Sequence, residues 1–151
     1  MTHILLTVVG LWLLAFTPLW AQFPPRTPWE EAVDIRLDTL DYEGALADCE
    51  AALALNANDA EAHCFRGLSL YYLDREDEAL AALSRAIELK ADYARAYNMR
   101  GYIKLYHLRQ PEAALQDFDL ALKHFPNYYR TRINRAKAYE LIDRPKEMHA
   151  E

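Results

Sequence analysis

The chain repeats itself at a fixed interval. Ala-Leu recurs in phase at Ala45-Leu46, Ala79-Leu80 and Ala114-Leu115, with spacings of 34 and 35 residues. Seven residues after each of these alanines stands another, at Ala52, Ala86 and Ala121. Arg66-Gly67, Arg100-Gly101 and Arg135-Ala136 follow the same two spacings. An interval of this length holds two helices and their turns, and a unit so small cannot hide its apolar face alone. Successive units must therefore stack, and the expected class is all-α.

Each unit divides into halves. The first halves, Trp29–Leu40, Ala60–Leu73, Ala94–Leu108 and Tyr129–Ile142, carry apolar residues at helical spacing. So do the second halves, Tyr42–Leu55, Asp77–Leu89 and Pro111–His124, with alanine where helices must approach closely. Boundary residues agree. Thr27-Pro28-Trp29-Glu30 places an N-cap threonine, a first-turn proline and a capping-box glutamate in order. Pro111 stands where a missing N–H costs nothing, and Pro126-Asn127 closes the helix it opens. Only 4 glycines occur in 151 residues, too few for a fold built on many tight β turns.

The first 21 residues follow a different rule. Ile4 to Phe16 is apolar apart from Thr7 and Gly10 and carries no charge; Thr17-Pro18 and then Leu19-Trp20-Ala21 follow. That is the length of an export-signal core with a cut after Ala21, and it is short for spanning a bilayer. The expected organisation is a signal peptide at 1–21, a short segment at 22–25 and a repeat domain at 26–151. Its repeats fall at about 26–59, 60–93 and 94–128, with a partial one at 129–151. The expected location is periplasmic or secreted, with no stable membrane insertion once the signal is cut.

Catalytic chemistry finds little support. The five histidines show no metal-ligand spacing, and His63 and Cys64, being adjacent, face different sides of a helix. Cys49 and Cys64 fall on consecutive helices, either as a disulfide or as two small apolar fillers. No glycine-rich phosphate loop or nucleophile motif is present, so neither enzyme activity nor a cofactor or metal is expected. A net charge of -6 disfavours nucleic acid. That charge is uneven. Residues 26–59 carry nine acids against two bases, whereas 94–128 and 129–151 are each +2. In a linear stack this becomes an acidic end and a mildly basic end.

In these positions the chain resembles the tetratricopeptide repeat, whose pattern is W-x2-L-G-x2-Y…A-x3-F…P. Trp29 fills the tryptophan slot, Gly67 and Gly101 the glycine slot, and Tyr139 the tyrosine slot. Ala45, Ala79 and Ala114 match the alanine, Phe118 the phenylalanine and Pro126 the proline. Leu83 and Cys49 stand in for phenylalanine in other units, and Ala136 for glycine in the fourth. The resemblance covers about residues 26–151. It implies a right-handed α-solenoid whose first helices line a concave surface. It also implies a non-catalytic module that binds a peptide or protein segment there. The alternative is an assembly subunit of an envelope complex, a homo-oligomer or docking piece acting through its terminal repeat. Some repeats of this family clamp a partner's terminal carboxylate with Lys and Asn. The corresponding slots here hold Glu30, Asp34, Cys64 and Leu68, so that clamp is not expected.

Helical spacing aligns Glu61, Cys64, Leu68, Tyr71 and Tyr72 with Arg95, Asn98, Tyr102, Leu105 and Tyr106, and Arg130, Ile133 and Lys137 continue the row. Tyrosines give apolar area with a polar tip, and arginines reach carbonyls or acids. The expected contacts are Tyr72, Arg95, Asn98, Tyr102, Arg130 and Lys137. The expected partner segment is extended, partly aromatic or apolar, and acidic at the end near Arg130.

Overall fold

A computed structural model describes residues 27–143 of the chain. The expected export signal and its cut lie outside the described residues, as do residues 144–151 of the expected partial repeat. Seven helices follow one another among the described residues: α1 Pro28–Asp38, α2 Tyr42–Leu55, α3 Ala60–Tyr72, α4 Glu76–Leu89, α5 Ala94–Tyr106, α6 Pro111–His124 and α7 Tyr129–Asp143. Each packs on the next, and α1 on α3, α3 on α5 and α5 on α7 also touch. This is the stacked helix-pair architecture that the repeat interval requires.

The local signals act where the sequence places them. The Glu30 carboxylate accepts a hydrogen bond from the Thr27 backbone N–H at 2.7 Å, and Pro28 opens α1. Asp59 caps α3 by accepting from the N–H groups of Glu61 and Ala62. The ends of α1, α3 and α5 fall short of the apolar pattern by two, one and two residues, because the chain turns left-handed there. Leu40, Asp74 and Arg109 have φ of 63°, 58° and 52°. After α1 the Asp41 N–H reaches back to the Arg36 carbonyl at 2.8 Å, and after α3 the Arg75 N–H reaches Leu70 at 3.0 Å. Both are the closing bonds of a Schellman cap, usually built on glycine. None of the three positions holds one.

Small residues bring the helices together. Ala45, Ala79 and Ala114 are fully buried, and so are Leu83 and Phe118, which lie against Gly67 and Gly101. Cys49 and Cys64 are free buried thiols, so the structure uses them as fillers and not as a disulfide. The contact between α5 and α6 also encloses a charge. Asp117, 2% exposed, accepts from Arg100 at 2.6 and 3.0 Å and pairs with the Lys104 ammonium at 2.8 Å. A carboxylate buried with two cations and this many hydrogen bonds tolerates desolvation. No described helix is long and apolar enough to cross a membrane.

Candidate functional site

The tyrosines gather along the row of first helices. Tyr42, at the start of α2, stacks on Tyr72 with centroids 4.6 Å apart and planes 14° apart. Tyr72 leans on Tyr71 at 5.2 Å, Tyr71 meets Tyr102 edge to face at 5.8 Å, and Tyr102 meets Tyr106 at 4.6 Å. The five rings form one continuous ribbon crossing from the first unit to the third. Sequence reasoning paired Tyr72 with Tyr106 through the repeat but did not foresee Tyr42, which belongs to a second helix.

Beside the ribbon lies an open hollow of about 320 Å³. Tyr71 and Tyr72 of α3, Asn98, Met99 and Tyr102 of α5, and Arg130, Ile133 and Asn134 of α7 line it. All eight come from first helices, and no carboxylate is among them.

Two hydrogen-bonded groups set its polarity. Asn98 is 4% exposed, and its Oδ1 accepts from Thr131 Oγ1 at 2.9 Å and Asn134 Nδ2 at 3.3 Å. The acceptor of this amide is therefore occupied, leaving its N–H donors for the hollow. The Tyr71 hydroxyl lies 3.2 Å from His107 Nε2, and His107 Nδ1 is 2.6 Å from a Glu76 carboxylate oxygen. With the imidazole neutral, Nδ1–H donates to Glu76 and Nε2 accepts from Tyr71. Burial, followed by the neighbouring Tyr102, pushes the Tyr71 phenol up to about 12. It remains a neutral phenol at physiological pH. Nothing here resembles a nucleophile with a base. Among the described residues no group of three His, Cys, Asp or Glu side chains is placed to hold a metal ion.

No family model matches the chain. A Xenopus laevis protein described as tetratricopeptide repeat protein 37 is 28% identical over 109 residues, 72% of this chain. A Dictyostelium discoideum protein, the STIP1 homolog, is 33% identical over 86 residues, 57% of this chain. The chain spans only 7% and 15% of the lengths of these two relatives. Among solved structures, the first TPR of Spaghetti (RPAP3), bound to HSP90 peptide SRMEEVD, superposes with a TM-score of 0.70 at 18% identity, covering 76% of this chain and 90% of that one. The fold is that of the tetratricopeptide repeat.

Within that tetratricopeptide fold the expected contacts divide. Tyr72, Asn98, Tyr102 and Arg130 all line the hollow. Arg95 does not: its guanidinium lies over the Phe65 ring, 4.4 Å from the centroid. Lys137 does not either, and its ammonium pairs with Glu140 at 3.0 Å. Asn134 was not foreseen, although it lies one turn beyond Arg130. At the slots where some tetratricopeptide repeats clamp a carboxylate, Cys64 and Leu68 are buried.

Proposed function

We propose that the protein is a non-catalytic interaction module of the tetratricopeptide family, which holds an extended segment of a partner protein in its tyrosine-lined groove. The observation that carries this reading is the hollow itself. Three first helices supply aromatic surface, amide donors and one arginine to a single open site, in a fold whose solved neighbour holds a peptide. A partner acidic at the Arg130 end would meet a cation and no lining carboxylate. The leader Ile4–Phe16 supports an exported module, working in a periplasm or outside the cell. Mass spectrometry of the mature chain tests this part: a start at Gln22 supports export, and a retained Met1 in a membrane fraction refutes it.

The groove is tested by two substitutions against a peptide selected from a random library. Alanine at Tyr102 should weaken binding by about 1–3 kcal/mol with little salt dependence. Alanine at Arg130 should flatten the dependence of affinity on salt. Wild-type binding by both variants would contradict the assignment.

A second use of the terminal repeat has its own support. Ile133 of α7 lines the hollow, but Tyr129 and Tyr139 on the same helix are 72% and 51% exposed, which supports self-association or docking there. Sedimentation of wild type against Tyr139→Ser tests it: a concentration-dependent dimer lost in the variant supports this use, and a monomer throughout refutes it.

A further inference from the structure

We infer that the middle of the bound segment is proline-rich and lies along the tyrosine ribbon as a polyproline II helix; this rests on the groove reading above. Three observations converge on that ligand. The first is the spacing of the rings. Successive centroids along Tyr72, Tyr71, Tyr102 and Tyr106 are 5.2, 5.8 and 4.6 Å apart. At steps of 4.6 to 5.8 Å the rings leave no gap in the row, and an aromatic row of this kind is what the flat pyrrolidine rings of a polyproline helix pack against.

The second is hydrogen-bond polarity. Asn98 has its Oδ1 occupied by Thr131 and Asn134 and offers the hollow only donors; Arg130 can only donate; no carboxylate lines the site. A segment in β conformation would bring backbone N–H groups that need acceptors. A proline tract brings carbonyls and no N–H. The Asn98 and Arg130 donors complement the carbonyls of such a ligand, and the Tyr72 and Tyr102 hydroxyls can act in either role.

The third is the wall itself. It is all helix, so no sheet edge exists to which a β-strand could add. A helical ligand satisfies its carbonyls internally and would leave the largely buried Asn98 donors facing none of its backbone, which is costly. A polyproline segment leaves every carbonyl free and is preformed, so little entropy is lost on binding.

The test is titration calorimetry of the full chain with acetylated deca-proline, with a ten-residue Gly-Ser peptide and an alanine-rich helical peptide as comparators. Deca-proline should bind about tenfold or more tighter than either comparator. Tyr72→Ala, at a half-exposed ring whose loss leaves the core intact, should weaken it about tenfold, and Lys123→Ala on α6 should not. No preference for deca-proline, or indifference to Tyr72→Ala, overturns the inference. A library-selected peptide without proline that shifts the amide resonances of Tyr71, Asn98 and Tyr102 overturns the proline assignment while the groove stands. Ligands that shift only α2, α4 and α6 overturn both.

Discussion

Gly101 lies against the ring of Phe118, so close that a Cβ there would stand 2.7 Å from Cε1 and 3.2 Å from the Ala114 carbonyl oxygen. The absent side chain is what lets α5 and α6 approach. Gly101→Ala gains about 1 kcal/mol of helix propensity but overpacks a ring with no room to move, costing about 1–3 kcal/mol. The variant should unfold at lower urea concentration with an unchanged slope. A higher midpoint would mean that Phe118 yields. Gly67→Ala faces Leu83 Cγ at 2.7 Å, a softer neighbour, and should cost less.

Asp117 is the one carboxylate fully enclosed among the described residues, held by Arg100 and Lys104 at 2.6 and 2.8 Å. Asp117→Ala strands two partly buried cations and should destabilise by about 3–5 kcal/mol. The Asp119–Arg135 pair at 3.0 Å is exposed, so Asp119→Ala should cost at most about 1 kcal/mol. Equal losses in chemical denaturation would show that burial does not set the difference.

Burial pushes the Cys49 thiol up to about 12 and Cys64 up to about 11, from 9.0. A thiol whose folded value exceeds its unfolded value adds stability below the unfolded value, and that stability is lost as pH rises through the folded one. Unfolding free energy should therefore begin to fall above about pH 9, joined by Tyr71 above about pH 10. Neither thiol should react with a disulfide reagent in the native protein at neutral pH, and both should react in denaturant. Prompt labelling of the native chain would contradict this.

The helix α7 has Ala138 buried against its neighbours while Tyr129, Ile133 and Tyr139 are half exposed or more. Amides beyond residue 129 should therefore exchange faster than those of α3 to α6. Uniform protection in a monomer would contradict it.

The fold was legible because its devices are local. Pro111 and Pro126-Asn127 punctuate the chain, and α2 and α6 have the limits their patterns imply. The charged junctions at Asp74 and Arg109 read as turns between helices, whereas Leu40 read as the last residue of the first helix. The left-handed backbone at all three was not legible, because none is the glycine that would announce it. In the groove, spacing gave the right face for Tyr72, Asn98, Tyr102 and Arg130. It could not tell that a long side chain would be captured nearby, as Arg95 is by Phe65 and Lys137 by Glu140. The Asn98–Asn134 contact joins two repeats, so it is invisible to a pattern read one helix at a time.

The central claim, that the row of first helices is the binding face, is tested most directly by amide chemical-shift mapping of the labelled chain with a library-selected peptide. Shifts should concentrate at Tyr71, Tyr72, Asn98, Tyr102, Arg130 and Asn134 and be lost in Tyr102→Ala. Shifts confined to the second helices α2, α4 and α6, with those six residues silent, would contradict it.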